Sequence, residues 1–311
     1  MEGIDSAELI TNENFWELRD LPDSIVFIGG GVISVEIGQS LARLGADVTI
    51  LDLMPRILSV VDEDVASYLY GVLAADGIKT ITGSVAKSGR KLENGQYELT
   101  IDHRNGEFST VVTDAVFMGV GRAANVNGID LENAGVEYSP RGIVINEKLQ
   151  TSTTHIYAVG DVATLAKFTH VAAYQAEVAV KNILYGDERV NDLSVLPWAI
   201  FTDPEVGHVG LTEAQAREKM EGVQVNTVTA SIDRYITDNK VGGLLKVVMD
   251  ADDVIVGGTA VGAHAGEWIQ LLTLAIRAKM TAQDIADTIF AYPSYSEIVK
   301  KAFTRFLRTK L

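Results

Sequence analysis

The chain has 311 residues, enough for two or three domains with full cores, and carries a formal net charge of −16. That charge argues against a nucleic acid as partner, and the absence of cysteine excludes both a disulfide framework and a thiolate nucleophile within this sequence. Because the five histidines are scattered and neither a signal peptide nor an apolar stretch of membrane-spanning length is found, we expect a cytoplasmic protein without a metal site or membrane contact.

After a lead-in segment of residues 1–21, the sequence predicts a strand, a glycine turn and a helix. Ile25 to Ile28 form the apolar strand, and three glycines follow it. Apolar residues then recur at the spacing of one buried helix face, at Ile33, Ile37, Leu41 and Leu44. Gly45 ends the helix, and a second strand, Val48 to Leu51, leads to Asp52. We therefore predict a βαβ unit with the fingerprint of dinucleotide binding.

Each residue type in this unit suits a dinucleotide. Gly29 permits the tight turn, and Gly31 lets the backbone approach a pyrophosphate, whose charge meets the unpaired amides at the helix N-terminus. Ser34 replaces the third glycine of the fingerprint, where a small residue still lets helix and strand pack. Asp52 is expected to accept the ribose hydroxyls and so favours NAD over NADP, although the nearby Arg56 opposes that preference. An ordinary glycine turn is the alternative.

Further elements follow in chain order. The sequence predicts a helix at Glu63 to Ala75, strands at Lys79 to Thr82 and Ala115 to Met118, and between them a hairpin or meander of Tyr97 to Asp102 and Phe108 to Val112. Shorter strands are predicted near 143–145 and over 154–161.

The acid at the end of the second of these strands marks a possible ligand position. Asp161 precedes an alanine-rich helix, Val171 to Leu184, whose N-terminus lies near Thr169 and His170. An acid at the carboxyl end of a strand, facing a helix N-terminus, is where an open α/β sheet binds its ligand. A turn capped by the same acid is the alternative, and the pattern does not decide between them.

From Pro197 onward, strands and helices no longer alternate, which is typical of an α+β domain. The predicted elements are strands at 198–201, 243–249 and 254–261, a helix capped by Thr212 and Gln215, and helices over 267–279 and from Ala282. The basic residues near the end of the sequence are interpreted as the exposed last turns of a helix; they are Lys300, Lys301, Arg305, Arg308 and Lys310.

Four motifs in this order resemble the pyridine nucleotide-disulfide oxidoreductase family, flavoproteins that include dihydrolipoamide dehydrogenase, glutathione reductase, mercuric reductase and soluble transhydrogenase. They are GGGVISVE at 29–36, MGVGRAAN at 118–125, HIYAVGD at 155–161 with FTHVA at 168–172, and FAYPSYSE at 290–297. The resemblance implies an α/β fold with three parts: a Rossmann-type NAD domain at 22–118, the C-terminal half of an FAD domain at 119–194, and an α+β dimerisation domain at 195–311.

The resemblance also implies roles for single residues. Glu36 is expected to face the nicotinamide side of NAD, and Gly121 is assigned to cofactor binding. Asp161 is expected on the FAD ribityl chain, with Thr169 and His170 near the flavin pyrimidine ring. The family's N-terminal FAD-binding βαβ unit and redox cysteine pair are not found in this sequence. The chain therefore corresponds to the back two-thirds of such an enzyme, and we expect only half of an FAD site.

The last motif departs from the disulfide reductases. Tyr292 stands where they carry a histidine, which handles a thiol's proton together with the residue matching Glu297. A phenol with a pKa of about 10 is poorly matched to that task at neutral pH. Tyrosine at this position, as in soluble transhydrogenases, favours hydride exchange without a disulfide. Glu297 also fits a capping box with Ser294, and both roles are compatible.

These inferences predict an NADH-dependent flavoprotein oxidoreductase with a small-molecule electron acceptor. The alternative is a catalytically silent module for nucleotide binding and dimerisation. A homodimer is expected, in which Tyr292 and Glu297 reach towards the partner subunit's Asp161 and His170, with the Tyr292–Pro293 peptide in the cis form. Five apolar residues are expected to form a surplus available for association: Trp268, Leu271, Leu272, Ala275 and Ile276.

Overall fold

The computed structural model describes residues 2–240 and 242–310, which divide into two compact units. The larger unit takes the residues up to Val120 and those from Val195 onward, and the smaller unit is Gly121–Ser194. The predicted α/β class is confirmed, since parallel strands alternate with helices in the first part of the larger unit. Within the described residues, no helix combines the length and apolar character that crossing a membrane requires.

The first part of the larger unit contains a parallel sheet and an antiparallel meander. The parallel sheet has the strand order β3-β2-β1-β7, and the meander has the order β4-β5-β6. In chain order the elements are β1 (Ser24–Ile28), α1 (Val32–Leu44), β2 (Asp47–Leu51), α2 (Glu63–Ala75), β3 (Lys79–Ile81), β4 (Val85–Lys91), β5 (Tyr97–Asp102), β6 (Phe108–Thr113) and β7 (Ala115–Met118). The predicted βαβ unit, the helix at 63–75 and the meander are confirmed.

The predicted buried face of helix α1 is confirmed in part. Leu41 is buried as predicted, and Ser34 and Gly38 are buried beside it, whereas Leu44 is exposed. The physical reason is close approach: a Cβ on Gly38 would lie 3.4 Å from Val48 Cγ1, so only small residues fit between helix and sheet. The larger isoleucines of α1 pack at the flanks of this contact. Gly45 ends the helix as predicted, with a φ of +112°.

The second part of the larger unit is an antiparallel sheet covered by helices, with the strand order β10-β11-β14-β13-β12. Its elements are β10 (Pro197–Ile200), β11 (Glu205–Gly210), α4 (Glu213–Lys219), β12 (Gln224–Ala230), α5 (Asp233–Thr237), β13 (Gly243–Met249), β14 (Ile255–Gly262), α6 (Ala265–Trp268), α7 (Gln270–Arg277), α8 (Ala282–Asp287) and α9 (Glu297–Arg308). The helix predicted over 267–279 is divided at Ile269 into α6 and α7. The capping box of Thr212 and Gln215 is confirmed at α4.

The smaller unit contains β8 (Tyr138–Ser139), β9 (Gly142–Ile143) and α3 (Thr169–Tyr185). The strand predicted over 154–161 is wrong. Its backbone makes an isolated bridge between Tyr157 and Gln150 and then a 3-10 turn at Gly160–Val162. The segment is apolar enough for a strand, but the described residues bring no second extended segment to its other edge, so no ladder forms.

Candidate nucleotide-binding site

The turn between β1 and α1 requires glycine at two positions. Gly29 has a φ of +102°, and a Cβ there would lie 2.5 Å from the carbonyl oxygen of Gly119. A Cβ on Gly30 would lie 2.7 Å from Oδ2 of Asp52. Both distances are too short for a side chain, so the loop passes close to β7 and to the end of β2 only because these residues lack one.

Gly31 lacks a side chain for a different reason. It is the N-terminal cap of α1, and no atom lies within 4 Å of the position that its Cβ would take. The space beside it is therefore open, and the backbone amides of the first turn of α1 have no partner within the helix. An open backbone at the positive end of a 13-residue helix is a favourable place for an anion.

A cavity of about 460 Å³ extends from this turn along the ends of the parallel strands. Its volume lies in the range of small-molecule sites. Among the described residues that line it, Asp52 carries the only charge. The lining consists of Ile28, Gly29, Gly30, Gly31, Leu51, Asp52, Leu53, Met54, Ser84, Val85, Ala86, Met118, Gly119 and Val120.

The carboxylate of Asp52 closes the glycine loop. Oδ2 accepts a hydrogen bond from the Gly30 amide at 2.5 Å, and Oδ1 accepts one from the Met54 amide at 2.7 Å. Each oxygen retains a lone pair for a hydroxyl donor. The guanidinium of Arg56 is directed elsewhere, since it donates to the carbonyl oxygens of Leu58 at 2.8 Å and Val61 at 2.7 Å.

Two further predicted residues lie on α1. Ser34 is fully buried, and a Cβ on Gly119 would lie 2.3 Å from its Oγ, so the third fingerprint position packs tightly against the end of β7. Oγ of Ser34 has no hydrogen-bond partner among the described residues. Glu36 is half-buried, and its Oε1 accepts a hydrogen bond from the Phe201 amide at 2.7 Å. Burial raises the pKa of the Glu36 carboxyl, which that hydrogen bond partly offsets.

The smaller unit brings its predicted residues to the N-terminus of α3 and the loop before it. Thr169 and His170 are the first residues of α3. Asp161 forms an ion pair with Arg122, whose Nη1 lies 2.8 Å from Oδ2. The sequence analysis did not anticipate this partner, which is 39 residues away in the chain. Gly121 has a φ of +116° and open space at its Cβ position.

Tyr292 and Glu297 do not form a pair. The phenol of Tyr292 is 69% exposed and donates a hydrogen bond to Asp233 Oδ2 at 2.5 Å, which raises the pKa of the phenol. Glu297 Oε2 instead accepts from the Ser294 amide at 3.1 Å. Asp233 was missed because nothing in the local sequence connects it with a tyrosine 59 residues away. The Tyr292–Pro293 peptide is cis, as predicted.

The predicted capping box at this helix is wrong in part. Helix α9 begins at Glu297 with Ser296 as its cap, and no side chain caps it. The hydroxyl of Ser294 donates to the carbonyl oxygen of Ala291 at 2.7 Å and so does not accept from the helix. Of the reciprocal pair, only the bond from the Ser294 amide to the carboxylate of Glu297 is present.

Comparison with protein families agrees with this geometry. Residues 2–176 match the model of the pyridine nucleotide-disulphide oxidoreductase family, and residues 196–303 match the model of its dimerisation domain. The chain belongs to this family. Its members are flavoproteins that combine FAD with a pyridine nucleotide, which accounts for a dinucleotide fold followed by an α+β domain.

Similar proteins include a dihydrolipoyl dehydrogenase from Geobacillus stearothermophilus, 34% identical over 303 residues, which make up 96% of this chain and 63% of that protein. A mercuric reductase from Staphylococcus aureus is 32% identical over 309 residues, 98% of this chain and 56% of that protein. The solved structure of the HOCl-induced flavoprotein disulfide reductase RclA from Escherichia coli has a TM-score of 0.89 and 27% identity, covering 98% of this chain and 70% of that one. The chain spans about half to two-thirds of the length of the curated relatives it matches.

The apolar surplus expected in the dimerisation domain is found only in part where it was predicted. Trp268, Leu272 and Ala275 are buried within the chain's own core, because α6 and α7 cover the antiparallel sheet, and they are not available for association. Leu271 is exposed, as expected. Leu274 and Ile289, which were not predicted, are exposed as well, the latter to 93%.

Proposed function

We propose that this chain supplies the pyridine-nucleotide site and the dimerisation domain of an FAD-dependent oxidoreductase that exchanges hydride between NADH and flavin. The observation that carries the proposal is the open glycine loop at the N-terminus of α1, adjoining a cavity of about 460 Å³ that ends at Asp52. The amides near Gly31 bind the pyrophosphate, and Asp52 accepts the ribose hydroxyls. Glu36, on the same helix, orients the nicotinamide end.

NADH is preferred over NADPH in this proposal. A 2′-phosphate would stand beside Asp52, the only charged residue among the described residues that line the cavity. Arg56, the nearest candidate for binding that phosphate, is held by the carbonyl oxygens of Leu58 and Val61. The repulsion from Asp52 is therefore not offset by a cation at the site.

For FAD, the residues available are Gly121, Asp161, Thr169 and His170. They fit part of the cofactor: Gly121 leaves its backbone open, and the N-terminus of the 17-residue helix α3 offers amide donors. When bound, FAD supplies the redox chemistry by accepting hydride from the nicotinamide. No second βαβ unit that carries the dinucleotide fingerprint occurs in the sequence for the ADP half of FAD, so we expect these 311 residues to retain little flavin.

We place the domain boundaries at 22–118 for NAD, 119–194 for the partial FAD domain and 195–311 for dimerisation, after a lead-in of 1–21. A homodimer is supported by the match to a family dimerisation domain. Tyr292 is exposed on this domain, which suits the proposed placement of Tyr292 and Glu297 near the partner subunit's cofactor. We expect the electron acceptor to be a small molecule.

Titration calorimetry with NADH and NADPH tests the nucleotide assignment. We expect NADH to bind about tenfold more tightly or better, and Asp52→Asn to narrow that ratio, because asparagine keeps the size and one acceptor oxygen but removes the charge. Equal or tighter binding of NADPH by the unmodified chain would contradict the assignment. The visible absorbance of the purified chain tests the expectation that it retains little flavin. One flavin retained per chain would contradict that expectation.

A further inference from the structure

A groove of about 580 Å³ lies in the dimerisation domain, apart from the nucleotide cavity. Helix α9 forms one wall, and the segments at 231–233 and 289–290 form the other. The side chains of α9 that line it are Glu297, Lys300, Lys301, Thr304, Arg305 and Arg308. Four of the five basic residues that the sequence analysis interpreted as solvated therefore line one concave surface, and the fifth, Lys310, pairs with Asp253.

Three of these cations have no partner in the described part of the chain. Lys301, Arg305 and Arg308 make no ion pair or side-chain hydrogen bond there, and they stand at positions i, i+4 and i+7 of one helix face. Lys300 differs, since its Nζ donates to the carbonyl oxygen of Thr288 at 2.5 Å. Like charges at this spacing repel each other, so a bound anion would stabilise this face.

The acids of the groove are already engaged. Asp233 accepts the hydrogen bond of the Tyr292 phenol, and Glu297 accepts that of the Ser294 amide. With four basic and two acidic side chains, the lining has a net positive charge inside a chain of net charge −16. The groove is thus a positively charged region of a negatively charged molecule, and an anion is the ligand that complements this charge.

We propose that this groove binds a small organic anion that carries two or more phosphate groups. The cations from Lys301 to Arg308 extend over about 10 Å of the helix axis at 1.5 Å per residue, which exceeds the reach of one phosphate. Guanidinium groups bind phosphate oxygens through two parallel hydrogen bonds, which favours phosphate as the charged group. The volume of the groove is that of a small-molecule site rather than of a surface for a macromolecule.

The test is calorimetric titration of inorganic tripolyphosphate into the full chain at moderate ionic strength. Arg305→Gln/Arg308→Gln is compared with Arg104→Gln/Arg141→Gln, a control pair that removes the same charge from exposed arginines outside the groove. We expect the groove pair to weaken binding about tenfold and the control pair to leave it nearly unchanged. Binding of the probe at the glycine loop of α1 is common to both variants and does not alter their difference.

Two results overturn the proposal: no saturable binding of tripolyphosphate by the unmodified chain, or an equal loss of affinity in the groove pair and the control pair.

Discussion

His208 makes the stability of the dimerisation domain sensitive to mild acid. It lies buried in β11, where its ring packs against that of Trp198, with centroids 4.9 Å apart and the ring planes tilted by 36°. Nε2 donates to the carbonyl oxygen of Gly210 at 3.1 Å, so in the neutral ring Nδ1 accepts from the hydroxyl of Thr259 at 2.8 Å. Burial lowers the pKa of His208 to about 4.

The sign and size of the effect follow from this pKa. The folded state disfavours the imidazolium. The free energy of unfolding therefore has its full value above the unfolded pKa of about 6.5 and falls as the pH drops towards 4. At 1.36 kcal/mol per unit, the full loss is about 3 kcal/mol, and about 2 kcal/mol of it is reached at a pH near 5.

Urea unfolding at pH 8 and pH 5 measures this loss in the unmodified chain and in His208→Gln. Glutamine retains a neutral donor for Gly210 at both pH values, and carboxylates elsewhere titrate equally in the two proteins. We expect the free energy of unfolding to fall by about 2 kcal/mol more in the unmodified chain than in the variant. The same pH dependence in both proteins would show that His208 is not held neutral by burial.

Three further outcomes are expected. Asp233→Asn should lower the pKa of Tyr292 towards 10 in an ultraviolet difference titration of the two proteins, because asparagine keeps an acceptor oxygen but removes the negative charge beside the phenol, and an unchanged pKa would rule out that coupling. Lys246→Met should cost about 3 kcal/mol in urea unfolding, because the buried ammonium of Lys246 lies 2.7 Å from Glu213, 3.2 Å from Asp64 and 3.9 Å from the buried Asp62, and all three carboxylates would lose their cation. Adding Asp62→Asn should recover part of the loss, because it removes the most buried of the three charges, and no recovery would contradict this account. Gly29→Ala should lower the melting temperature through its positive φ and a backbone clash, and an unaltered melting temperature would count against the observed turn.

The parts of the fold that local patterns determine were predictable. The strand, glycine turn, helix and acid from β1 to Asp52 lie within a short stretch, and helix α2 at Glu63–Ala75 follows a simple apolar period. The buried face of α1 was predictable only in part: Leu41 lies inward as its apolar spacing indicates, but Gly38 and Ser34 lie inward for reasons of space on the sheet rather than of hydrophobicity.

The site was only partly predictable from the sequence. Gly29, Gly31 and Asp52 lie together as expected, since they belong to one βαβ unit. The partners Asp233 of Tyr292 and Arg122 of Asp161 come from distant parts of the chain and left no local signal. Long-range hydrogen bonds of this kind depend on tertiary packing, which one sequence does not reveal.

Binding of NADH to a Gly31→Val variant tests the proposed nucleotide site most directly. Nothing lies within 4 Å of the Cβ position of Gly31, so valine fits without disturbing the fold while filling the space meant for the pyrophosphate. Gly71→Val, at an equally open position on α2, is the matched control. In calorimetric titration we expect the unmodified chain and the control to bind NADH alike, and Gly31→Val to bind it about tenfold more weakly or worse. Undiminished NADH binding by Gly31→Val would contradict the assignment of this loop to the nucleotide.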